Sequence, residues 1–132
     1  MVETLSGLQA GSIHPRPQDN SHSTLAPILK KEDGLVDFSR SANEIFNRSR
    51  GFQPWPGAYT KFRGKNLQIL KALPCKESLP AAELCVTADR LLVGCAHNTS
   101  LELLELQLEG KKRTIAHDFI QGYRPKPSEK LG

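Results

Sequence analysis

Apolar positions follow two regimes along this chain. Up to Gly51 they recur every three or four residues, and after Gly57 they alternate. Spacings of 3.6 and 2 mark one face of a helix and one face of a half-buried strand. Val2, Leu5 and Leu8 form a short helical stripe that Gly11 ends, and a stripe so short needs another body to bury it. Residues 12–23 are polar with two prolines and read as a linker. Thr24 to Lys31 holds a small apolar face of Leu25, Ile28 and Leu29, and Leu35 to Phe38 reads as a strand. Ser41-x-x-Glu44 is a capping-box pattern that opens a helix with Ala42, Ile45, Phe46 and Ser49 on one side.

The alternating regime predicts strands at 58–62, 66–72, 83–87, 91–96 and 100–107, with Arg63-Gly64-Lys65 as the first hairpin turn. Residues 73–80 read as a loop, because they hold two prolines. Residues 114–121 predict a short helix, with Ile115, Phe119 and Ile120 apolar, and residues 122–132 form a polar, proline-containing end. Short strands at close spacing with glycine turns predict a mainly β fold. The expectation is a small OB-like Greek-key barrel, with one helix before the main strands and a short helix near the C-terminus.

Between the regimes lies the corner Pro54-Trp55-Pro56-Gly57, which holds the only tryptophan. Each proline fixes its own φ and drives the residue before it towards extended geometry. The indole has two readings, a stacking platform or a packed joint between helix and barrel. A large apolar ring in a stiff turn favours the joint.

Composition adds a mild positive charge, +4 over 132 residues with pI about 9.1. The cations cluster as Lys30 and Lys31; Arg48, Arg50, Lys61, Arg63 and Lys65; Lys111, Lys112 and Arg113; and Arg124 with Lys126. No carboxylate falls between Arg48 and Lys65. Clusters at turns can converge on one barrel face, where lysine and arginine hold phosphates without reading sequence. No apolar run is long enough to span a bilayer. Cys75, Cys85 and Cys95 are odd in number and lack a C-x-x-C pair, so they read as buried cysteines, with no metal site. No nucleophile elbow, zinc helix, phosphate loop or dinucleotide fingerprint is present, and no catalytic residue is assigned.

Leu29 to Ser39 matches the pattern Leu-x-Lys-Glu-Asp-Gly-x-x-Asp-aromatic-Ser. Arg50 to Thr60 resembles the signature Arg-x-x-Asn-Pro-Trp-Pro-Gly-Ala, and Leu103 to Lys112 followed by Asp118 to Pro125 resembles a closing segment of the same family. In order and spacing these resemble the C-terminal domain of methionyl-tRNA formyltransferases. The resemblance implies an OB-like barrel at 24–132, a linker at 12–23, and at 1–11 the end of an N-terminal, Rossmann-like catalytic domain. It implies initiator methionyl-tRNA as partner, with the cations of the four clusters as phosphate contacts, and a cytoplasmic setting. The formyl donor would be 10-formyltetrahydrofolate, used by the catalytic domain and by no residue of this chain. A related domain serving a small-molecule formyltransferase, for an amino-sugar nucleotide or the folate itself, is the alternative. Two positions depart from the pattern: Gln53 replaces asparagine, and Ile115 replaces a helix-capping serine, leaving Thr114 to take the cap.

Overall fold

A computed structural model describes residues 2–132; Met1 lies outside the described residues. The elements are α1 (Val2–Gln9), α2 (Ala42–Gly51), β1 (Ala58–Phe62), β2 (Lys65–Cys75), β3 (Leu84–Thr87), β4 (Arg90–Cys95), β5 (Thr99–Leu108), β6 (Thr114–Ile115) and α3 (Ala116–Tyr123). The strands form one antiparallel sheet in the order β1-β2-β5-β4-β3, and β6 adds to β5. The mainly β architecture and both helix positions agree with the alternation and capping signals. β5 is the pivot: it pairs with β2 along one edge, and with β4 and then β6 along the other.

The core is the inward row of this sheet (Phe62, Leu67, Ile69, Leu91, Val93, Leu101, Leu103, Leu106) with Ala42 and Ile45 from α2 and Phe119 from α3. Phe62 and Phe119 pack at 5.2 Å between ring centroids, and Tyr123 lies 4.7 Å from Phe119, so α3 is fixed to β1 through aromatic faces. The capping box forms as the sequence predicts, with the Glu44 carboxylate accepting the Ser41 N–H at 2.9 Å. The β1–β2 turn is two residues, Arg63 and Gly64, at φ 50° and 77°, the doubly positive geometry that suits a hairpin's twist.

Four expectations are corrected. β2 runs on to Cys75 through Pro74, where a loop was predicted, because past Ile69 the strand has no β1 partner and an edge accepts proline. Residues 35–38 are not a strand: a 3-10 turn, Lys31–Gly34, precedes a single parallel bridge from Leu35 to Tyr59. Residues 114–115 pair with β5, so the last helix begins at Ala116. Thr114 does not cap it; its hydroxyl donates to the Ile115 carbonyl, and the N-terminal turn has no side-chain cap.

The β2–β5 ladder carries two bulges. Ile69 pairs with Leu106, Lys71 with Glu105 and Ala72 with Leu103. Leu70 is therefore extra on β2 and Leu104 extra on β5, and the register recovers beyond them. Inward positions shift by one on both strands at the same level, from Leu67 and Ile69 to Ala72, and from Leu108 and Leu106 to Leu103 and Leu101. Paired bulges bend the sheet without misaligning its faces.

β1 and β3 remain as free edges, and the C-terminal segment fills the gap between them. Leu84 N–H donates to the Glu129 carbonyl at 2.7 Å, Leu131 N–H to Ala82 at 2.9 Å, and Gly132 N–H to Lys61 at 3.0 Å. Leu131 is buried, and Glu129 accepts from Arg63 Nε at 2.7 Å and Nη2 at 2.9 Å. α1 buries no residue, and Val2, Leu5 and Leu8 stand exposed.

Leu131→Ala is expected to cost about 2–4 kcal/mol in urea unfolding. The Arg63 pairing holds the Glu129 carboxyl below the ordinary carboxylate range. Its stabilising contribution is therefore present above that range and lost as pH falls through it. Glu129→Gln should lower stability at pH 7 and flatten the loss below about pH 4.5; equal acid sensitivity of the two proteins would refute the linkage.

Candidate nucleic-acid interface

The corner after α2 is built from a short closed loop. Gly57, at φ 76°, donates its N–H to the Phe52 carbonyl at 2.9 Å, which ties the loop's two ends together. Residues 53–56 are thereby held outside the barrel, and Trp55 is 56% exposed. The packed joint expected of Trp55 is thus not made by the indole. Half-buried Phe52 and buried Ala58 occupy the junction instead.

Arg48 lies over the Phe52 ring at 4.9 Å and donates Nη2 to the Asp33 carbonyl at 3.4 Å, while Arg50 lies over Phe46 at 5.5 Å. Guanidinium planes stacked on rings hold their charge in place while their N–H edges stay available. The 3-10 turn seals the other side of the corner. Gly34 is buried against the Gly57 carbonyl and the Tyr59 ring, with no room for a Cβ. The Asp33 carboxylate accepts the Lys30 N–H at 2.7 Å. Lys30 and Lys31 are exposed on this turn.

A second group of cations gathers at the hairpin end. Asn66 accepts the Glu109 N–H at 2.8 Å and donates its own to the Glu109 carboxylate at 3.1 Å. Gln107 Nε2 donates to the Lys111 carbonyl at 3.0 Å. The turn carrying Lys111 and Lys112 is therefore fastened beside the start of β2, where Lys65 lies. Arg124, in left-handed geometry, ends α3 on the same side, since Arg63 Nη1 and Nη2 reach the Tyr123 and Arg124 carbonyls at 3.0 and 3.4 Å.

Two of the expected phosphate contacts are already committed. Arg63 is held by Glu129 and by those carbonyls, and it stacks on Phe62 at 4.7 Å. Arg113 is paired with Glu105. Among the described residues Lys30, Lys31, Arg48, Arg50, Lys61, Lys65, Lys111, Lys112, Arg124 and Lys126 enter no ion pair. Sequence reasoning missed the role of Arg63, since its partner is 66 residues away and no local pattern announces it.

β1 links the two groups. It spans roughly 14 Å at strand rise, with Ala58, Thr60 and Phe62 inward and Tyr59 and Lys61 outward. Cross-strand pairing sets Tyr59 beside Gln68, Lys61 beside Asn66, and Gln68 beside Gln107. The result is a polar strip of sheet, flanked at both ends by elements that carry unpaired cations. Such a face suits a polyanion. Elsewhere, burial pushes the Cys95 thiol up to about 12 and raises Cys75, which leaves both as poor nucleophiles. No group of three His, Cys, Asp or Glu side chains among the described residues is placed to hold a metal ion.

The sequence pattern described as "Formyl transferase, C-terminal domain" matches residues 28–124. A methionyl-tRNA formyltransferase of Koribacter versatilis is 58% identical over 132 residues, which are 100% of this chain and 42% of that protein. The Solibacter usitatus enzyme of the same name is 51% identical with the same coverage, and that of Bacillus subtilis is 38% identical over 100% of this chain and 43% of its own length. The chain thus spans about two fifths of the length of these relatives. HypX from Aquifex aeolicus, solved in complex with tetrahydrofolic acid, superposes with a TM-score of 0.57 at 17% identity, over 98% of this chain and 23% of HypX. That likeness is one of fold.

The two kinds of cation are separable by stability. Arg63→Ala is expected to lower stability, because it removes the donors held by Glu129 and by two carbonyls at once. Lys65→Ala should stay within about 0.5 kcal/mol of the parent. Urea titration of both variants checks this, and equal stabilities would contradict the assignment.

Proposed function

The chain belongs to the formyl transferase C-terminal domain family, and from that premise we propose that it is the RNA-holding part of a methionyl-tRNA formyltransferase. In this reading a separate catalytic domain transfers the formyl group of 10-formyltetrahydrofolate to the amino group of initiator methionyl-tRNA, in the cytoplasm. The polar β1 face grips the phosphate backbone and keeps the reacting end within that domain's reach. Residues 1–11 belong to the catalytic domain's last helix, 12–23 link the two, and 24–132 form the RNA-holding domain. The exposure of Val2, Leu5 and Leu8 supports a packing partner for α1 beyond this barrel.

The observation that carries the reading is the sorting of cations. Lys61, Lys65, Lys111 and Lys112 sit on the elements at the hairpin end of β1, and Lys30, Lys31, Arg48 and Arg50 on those joined to its other end, all without carboxylate partners among the described residues. Two ends about 14 Å apart span more than one phosphate along a nucleic acid strand. No sequence readout is required of such a surface, since identity of the RNA is left to shape and to the catalytic domain.

Titration with initiator tRNA over a salt series tests this. Affinity should fall steeply with salt, by roughly 0.7–0.9 log unit per log unit of salt for each phosphate neutralised. Lys111→Glu with Lys112→Glu should weaken binding at least about tenfold and lower that slope by about two contacts. Binding absent at low salt would instead favour a small-molecule formyltransferase, whose C-terminal domain has no need of RNA.

A further inference from the structure

We propose that Trp55 is a stacking residue for an unpaired nucleobase, placed at the end of the cationic face away from the hairpin. The inference rests on the RNA-holding reading above and extends it from phosphate contact to base contact. Four observations carry it. The indole is 56% exposed although it is the largest apolar ring in the chain. Burial in the barrel is denied to it by the loop closure between Gly57 N–H and the Phe52 carbonyl. Pro54 and Pro56 flank it, so the ring is presented with little backbone freedom to lose on binding. Arg48 and Arg50, on the last turn of the adjoining helix, are anchored over Phe52 and Phe46 and bring positive charge to the same corner.

Charge complementarity selects the occupant. A protein surface docking an aromatic anchor supplies an apolar pocket inside a polar rim. Here the aromatic rings at the end of the preceding helix, Phe46 and Phe52, are half-buried and already covered by guanidinium planes. Asp33, against which this corner packs, turns its carboxylate to the Lys30 N–H. What remains is a solvent-facing indole on the loop that directly follows the helix turn carrying Arg48 and Arg50. Exposed bases bind such a site by stacking while their phosphates meet the arginines, and the preference is for unpaired nucleotides because paired bases hide their faces.

Trp55 is the chain's only tryptophan, so its emission reports the site directly. The chain is titrated with an unpaired RNA oligonucleotide, with initiator tRNA and with a long fully paired RNA duplex, while anisotropy of labelled RNA measures binding separately. Stacking predicts quenching that saturates together with anisotropy for the unpaired RNA and the tRNA, and weak quenching with the duplex. Trp55→Ala should weaken binding of the unpaired RNA by roughly 5- to 100-fold, leave duplex binding and the thermal midpoint unchanged, and be partly rescued by Trp55→Phe. If RNA binds by anisotropy while emission and affinity ignore residue 55, the stacking proposal is overturned and the RNA-holding function stands. If no RNA binds at all, both fall. If emission responds only when the catalytic domain of a relative is added without RNA, Trp55 is a protein-docking residue and the stacking proposal is overturned.

Discussion

The fold depends on how its open edges are closed. A sheet ordered β1-β2-β5-β4-β3 curls towards a barrel but leaves β1 and β3 without mutual pairing. The C-terminal segment supplies the missing hydrogen bonds, to Leu84 and Ala82 on one side and Lys61 on the other, and seals the seam with Leu131. Unpaired edge groups are a hazard as well as a loss of stability, because they invite pairing with another chain. Arg63 makes the closure conditional: the guanidinium at the β1–β2 turn grips Glu129 and the end of α3 at once. Lys61, whose carbonyl accepts the Gly132 N–H, lies beside that clasp.

The same economy sorts the positive charges. Stacked and bridged arginines such as Arg63 and Arg90 serve the framework, Arg90 by joining Glu77 and Glu102 across neighbouring elements. The lysines at turns are left to solvent. A net charge of +4 is modest, but the cations without partners lie at the two ends of one sheet face, and a phosphate chain meets local density rather than net charge.

Much of this was legible in the sequence. The strict alternation of β1, the apolar run of β4, the Ser41–Glu44 box and the glycine hairpin each carry their signal within a few residues. What escaped reading was long-range. Pro74 argued for a loop because sequence does not tell that β2 loses its β1 neighbour after Ile69. The 3-10 turn at 31–34 depends on Gly34 fitting under Gly57 and Tyr59, a contact invisible along the chain. The size of the Trp55 ring argues for a packed joint, and the backbone closure from Phe52 to Gly57 instead leaves it 56% exposed. For the site, the cationic clusters were visible, but not which members were already engaged.

The two bulges in the β2–β5 ladder carry a consequence of another kind. Leu70 and Leu104 are single extra residues whose effects cancel. Removal of one alone would leave inward and outward positions as they are, because each is the residue that the ladder skips, but it would set a straight strand against a bulged partner. Removal of both would restore a straight ladder with its faces intact. The two leucines, 34 positions apart by their numbers, therefore set the bend of the sheet and not its faces: length can change by one residue at either place without exchanging core and solvent sides, and what changes is the local curvature and twist.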